Sequence, residues 1–193
     1  MLSAVNAKEQ CVKEFGIGED LPMSIFCWKD HALELVLSMA LTPEVRDHTE
    51  RFKRVSDAVC IVKKAWHIDA FTMVAEGWVS TNPEATAGQE LHVAYLAPES
   101  PVSTCLTITH VENDEVTFIA KPYKEMWGRK VEWDEELYFP GSTKVRGQNA
   151  MYPNLFGRVL REVENEMPPE DEATYYAAIG DGLMKRGFAC QWM

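Results

Sequence analysis

Two stretches of this chain alternate apolar and polar residues, turn once and alternate again: 57–80 (AVCIVKKAWHIDAFTMVAEGWVST) and 105–123 (CLTITHVENDEVTFIAKPY). A period of two sends successive side chains to opposite faces of a strand, so each stretch reads as an antiparallel hairpin with one apolar face. Segments with helical spacing, several opened by a cap residue and a proline, lie on either side of both. Sequential strands joined by tight turns pair antiparallel, and helices with one apolar stripe must cover such a sheet. The class expected is therefore α+β.

In the first hairpin a turn at Asp69-Ala70 places Ile68, Trp66, Val62 and Cys60 on the apolar face opposite Phe71, Met73, Gly77 and Val79. It also sets Lys63 opposite Glu76, a pairing worth roughly 0.2–1 kcal/mol. In the second, a three-residue loop Glu112-Asn113-Asp114 pairs Ile108 with Phe118, Leu106 with Ala120 and His110 with Val116, and Thr109 with Thr117 on the outer face. A two-residue loop would oppose Glu112 and Glu115. Residues 129–135 alternate again through Val131 and Trp133 and supply a fifth strand.

Helices are expected over 3–15, with Ser3 as cap, Val5, Val12 and Phe15 on the inner stripe and Gly16 as the stop. GIGEDLP then connects. From Asp30, the residues Leu33, Val36, Leu37, Ala40 and Leu41 have helical spacing, although Leu33, Leu35 and Leu37 also alternate as a strand would. Thr42-Pro43-Glu44 opens a helix that turns Val45, Phe52 and Val55 inward, and Asn82-Pro83-Glu84 opens another that ends at Pro98. Pro153 begins a helix with the stripe Leu155, Phe156, Val159, Leu160 and Val163. The last helix starts at Pro169, carries Glu170, Asp171 and Glu172 at its positive end and Lys185 and Arg186 at its negative end, and stops at Gly187. FACQWM could add a short edge strand to the five already counted. The expectation is one α+β domain over 1–193, with a five-stranded, mainly antiparallel sheet and the order α-α-α-β-β-α-β-β-β-α-α. Its inner order, α-β-β-α-β-β-β-α, resembles that of roadblock and longin-type scaffolds.

The chain carries no phosphate loop, dinucleotide fingerprint, nucleophile elbow or close pair of zinc ligands. Its five cysteines are scattered and odd in number, as reduced thiols in a cytoplasmic protein would be. The run Glu132, Asp134, Glu135, Glu136 reads as a solvated strand end. No metal and no cofactor is expected. The formal charge of −11 disfavours direct nucleic-acid binding and favours partners with basic surfaces. No apolar run approaches the ~20 residues of a membrane span.

Charge is uneven along the chain. From Leu137 to Arg161 there is no acid, and Lys144, Arg146, Arg158 and Arg161 are present. Within that window FPGSTKVRGQNAMYP lacks periodicity, and long loops in compact domains are usually functional or mobile. Lys144, Arg146, Gln148, Asn149 and Tyr152 are the candidate contacts for a partner or an anionic small molecule. Trp78, Trp127, Tyr123 and Tyr152 are candidate exposed aromatics. Together these features suggest a non-enzymatic interaction protein, an accessory or inhibitor of the kind phages and mobile elements carry, acting on a protein partner. The alternative is a small enzyme or binding protein for a phosphorylated molecule, with His67 or Glu76 as its acid–base group.

Overall fold

A computed structural model describes residues 1–39, 47–80, 102–113, 115–139 and 151–193. Among them are four helices, α1 (Leu2–Phe15), α2 (His48–Trp66), α3 (Met151–Glu162) and α4 (Glu172–Lys185). The strands are β1 (Met23–Lys29), β2 (Ala32–Met39), β3 (Ala70–Ser80), β4 (Val102–Glu112), β5 (Glu115–Met126), β6 (Lys130–Trp133), β7 (Leu137–Phe139) and β8 (Phe188–Trp192). They form one antiparallel sheet of eight strands, not five, in the order β6-β5-β4-β3-β1-β2-β8, with β7 paired to β5. Of the helix expected from Thr42, residues 42–46 fall outside the described residues and the part with Phe52 and Val55 lies in α2, while the helix expected from Asn82 falls outside them.

Two segments change type, and β1, β7 and β8 add the three further strands. The first correction concerns residues 57–68, expected as the leading strand of a hairpin. Residues 57–66 are helical, and only the second arm, β3, is a strand. Val55, Ala58, Val59, Val62 and Ala65 are all buried, and their spacing is that of one helix face. Asp47 caps this helix by accepting the Glu50 N–H at 2.8 Å, and His67 ends it in the left-handed conformation at φ 56°. In a run of Val, Cys and Ile the same apolar positions satisfy both periods, and the cap at Asp47 decides for the helix. The expected Lys63–Glu76 pair therefore does not form.

The second correction concerns the segment from Asp30, which is strand β2 and not a helix. Leu35, Leu37 and Met39 are buried in alternation, facing the like pattern of Met23, Ile25 and Cys27 in β1. Met23 lies opposite Met39 and Lys29 opposite Ala32, with one register shift between Cys27 and Trp28. Only Asp30 and His31 join the two strands, at φ 49° and 64°. Two positive φ values in a two-residue loop give the turn whose twist suits a hairpin. β8 then pairs with the other side of β2, from Leu35↔Trp192 to Met39↔Phe188.

Other elements lie close to their sequence positions. α1, α3, α4, β6 and β8 occupy the segments expected of them. Asp171 caps α4 by accepting the Thr174 N–H at 3.2 Å, and Gly187 follows it at φ 88°. β4 runs to Glu112 and β5 starts at Glu115, so residues 113 and 114 alone separate them, one fewer than expected. Thr109, expected on the outer face, is buried.

The chain gathers into two compact units. The first comprises Met1–Leu21, Val74–Ile108 and Ile119–Phe139, and the second Pro22–Met73, Thr109–Phe118 and Pro140–Met193. In the second unit the core is apolar: Ile25, Leu35, Leu37, Val59, Val62, Phe71, Phe156 and Phe188 are buried, and the Phe71 and Phe156 rings lie 5.3 Å apart. Burying each such side chain contributes about 1.5–3 kcal/mol. α2 packs against α3 and α4, and α4 against β8. In the first unit α1 packs beside β6, but through a different chemistry.

Candidate interaction surface

α1 buries only two of its residues, Val12 and Lys8. A helix with so little apolar burial needs another attachment, and Lys8 supplies it. Its ammonium, 1% exposed, lies 3.0 Å from Glu76 Oε1 on β3 and 2.7 Å from Glu125 Oε1 on β5. It also donates to the Glu19 carbonyl at 2.8 Å. Three donors thus meet three acceptors. The Tyr123 ring centroid lies 5.1 Å from the same nitrogen, close enough for a cation–π contact. Glu76 further accepts the Leu21 N–H at 3.1 Å and the Tyr123 hydroxyl. Glu125 accepts the Gly18 N–H. One buried cation and two carboxylates therefore fasten both α1 and the connector after it to the strands of this unit.

The titration of the cluster is that of a fastening. Burial pulls the Lys8 ammonium down, but hydrogen bonds to Glu125 and Glu76 and the charges of both carboxylates outweigh it, and its pKa is raised. Burial raises Glu76 against the opposing pull of Lys8. Burial and the nearby Glu76 charge raise the Tyr123 phenol and push the Cys105 thiol up to about 12. Lysine stays charged, and tyrosine and thiol stay protonated. An activated nucleophile needs the reverse.

A second set of bonds ties the C-terminal end of α1 to the β5–β6 turn. Arg129, at φ 58° after Gly128 at φ 86°, donates from Nη1 to the Lys13 carbonyl at 3.1 Å and the Glu14 carbonyl at 3.5 Å. A cation on the last carbonyls of a helix satisfies orphan acceptors and opposes the helix dipole. The Trp133 indole donates to Glu9 Oε1 at 2.9 Å, and its ring packs 5.2 Å from Tyr123.

Segments 13–18 and 125–129 are thereby joined at two points, and each carries two exposed large apolar side chains. Phe15 is 70% exposed and Ile17 52%; Met126 is 45% exposed and Trp127 95%. Exposed charges of both signs flank them: Lys13, Glu14, Glu19 and Asp20 on one side, Lys124, Arg129, Lys130 and Glu132 on the other. This apolar group with a mixed charged rim is the candidate site. The sequence puts Gly16 at the helix stop and Ile17 in the connector GIGEDLP, but helical phase puts Phe15 on the inner stripe. Nothing in the sequence singled out Met126.

The other sequence candidates lie as follows. Lys144, Arg146, Gln148 and Asn149 fall outside the described residues. Tyr152 is in α3 and half-buried, its ring 5.7 Å from Phe52 and 6.3 Å from Phe156, and burial raises its phenol. Tyr123 is buried, and Trp78 is 44% exposed on β3. His67 Nε2 lies 3.0 Å from the Glu166 carbonyl. Lys63 is buried in α2, which lowers its pKa, while Glu76 is engaged with Lys8. Glu132, Asp134, Glu135 and Glu136 are exposed, and among the described residues no three His, Cys, Asp or Glu are placed to hold a metal ion. No described helix is long and apolar enough to cross a membrane. Comparison with protein-family models, curated proteins and solved structures finds no match to the chain.

Proposed function

We propose that this is a non-enzymatic binding protein that docks a partner protein through Phe15, Ile17, Met126 and Trp127. The observation that carries this reading is Trp127, 95% exposed at the tip of a turn whose next residues are pinned to α1 by Arg129. Tryptophan is the residue type most enriched at the energetic centre of interfaces, and a pinned one forfeits little entropy on binding. Grouped exposed apolar side chains mark interaction sites. Exposed charges of both signs around them fit a partner with an apolar pocket and a polar rim of mixed charge.

The test compares the wild-type chain with Phe15→Ala/Trp127→Ala and with Trp78→Ala as a surface control. Each is used to capture partners from extract, and any stoichiometric partner is then purified and its affinity measured directly. The reading expects a partner bound by wild type and Trp78→Ala and weakened at least tenfold by the double variant. Trp127→Ala should leave stability within about 0.5 kcal/mol. An affinity unchanged by the double variant overturns the proposed surface. A thermal shift with nucleotides or phosphorylated metabolites would favour the enzyme alternative instead.

A further inference from the structure

The second unit holds a cleft of about 230 Å3 lined by Trp28, His31, Ala70, His110 and Glu112. Its walls are fixed by a chain of bonds. The Trp28 indole donates to Thr72 Oγ1 at 2.9 Å, and Thr72 Oγ1 lies 2.8 Å from His110 Nδ1. Indole nitrogen only donates, so the threonine oxygen accepts from it and has its own proton to give. The hydroxyl gives it to His110 Nδ1 in the tautomer that carries its hydrogen on Nε2, the two roles following the tautomer.

Across the cleft, His31 sits on the β1–β2 turn. Asp69 holds that turn by accepting the Asp30 N–H at 2.7 Å. His31 Nδ1 is 3.5 Å from Glu112 Oε1, and His110 Nε2 is 3.7 Å from Glu112 Oε2. Both separations exceed hydrogen-bond length. The carboxylate lies within ion-pair range of two imidazoles and is 31% exposed. Trp28 and Ala70 complete the lining of the cleft. A carboxylate and an aromatic ring lining one cleft are the complement of an organic cation.

We propose that this cleft binds one guanidinium or primary ammonium group, paired to Glu112 and laid against the Trp28 ring. This site is separate from the Trp127 surface, and neither reading depends on the other. The cation belongs either to a free small amine or to an arginine or lysine side chain carried on a peptide.

The experiment follows the Trp28 indole N–H resonance, assigned with Trp28→Phe, during titration of the full chain. The probes are methylguanidinium, butylammonium, their neutral counterparts urea and butanol, and a blocked Gly-Arg-Gly peptide. Both cations should shift the resonance saturably and the neutral compounds should not. Glu112→Gln should weaken cation binding at least tenfold, Glu112→Asp less, and Trp127→Ala not at all. Tighter binding of the peptide than of methylguanidinium assigns the cation to a protein side chain, and the reverse order assigns it to a free amine. No saturable shift, an equal response to urea and butanol, or undiminished binding by both Glu112 variants overturns the proposal.

Discussion

α1 and α2 are both amphipathic helices packed within their own unit, but they are held by opposite means. α2 is attached by Val55, Val59, Val62 and three alanine or lysine neighbours buried with them. α1 is attached by Val12 and by a lysine bonded to two carboxylates. Apolar attachment is non-directional and graded, so losing one methyl group costs a fraction of the whole. Attachment through a buried ion pair is all or none, because removing one partner leaves the others charged and dry.

That contrast fixes an order of effects. The largest belongs to Lys8→Ala, expected to cost about 3–5 kcal/mol by chemical denaturation. Removing all three charges together, as Lys8→Met/Glu76→Gln/Glu125→Gln, should recover much of that loss. If the triple variant is no better than the single one, the helix is held by shape and not by charge. Val62→Ala in α2 removes two methyl groups from the core and should cost about 2 kcal/mol. Asp47→Ala removes the α2 cap and should cost about 1 kcal/mol.

The smallest effect is one of pH. Glu76 is held above its ordinary 4.5 in the folded chain, so its contribution is fully present below pH 4.5 and is lost as pH rises through the raised value. Lys8 is held above 10.5, so its contribution persists below 10.5 and is lost at more alkaline pH. Denaturation midpoints measured between pH 4 and 8 should therefore depend less on pH in Glu76→Gln than in the wild-type chain. An unchanged pH profile would remove Glu76 from the account.

The same contrast explains how much the sequence disclosed. Elements with distinctive punctuation were legible: α4 through its proline, acids and closing glycine, β4 and β5 through their shared alternation, and β6 and β8 through short apolar patterns. α2 was misread because Cys60, Val62, Trp66 and Ile68 alternate while Val55, Val59 and Val62 recur with helical spacing, and the cap pair Asp47 and Glu50 went unweighed. β2 was ambiguous for the same reason. The candidate surface was legible only at Trp127. Phe15 was lost because helical phase alone assumes that the apolar stripe is the buried one, whereas here the buried face is led by a lysine. No local pattern reports that Lys8, Glu76 and Glu125 meet, since residues so far apart in the chain are joined only by the sheet.

The pairing of β2 with β8 joins Leu35 to Trp192, so an early strand waits for a very late one. During synthesis on the ribosome β1 and β2 can close their two-residue turn at once, yet one border of β2 stays open until residues 188–192 have emerged. Loop-closure entropy across that span makes the event slow and late. Until then the exposed border is where a nascent chain of this protein is most open to pairing with the wrong strand.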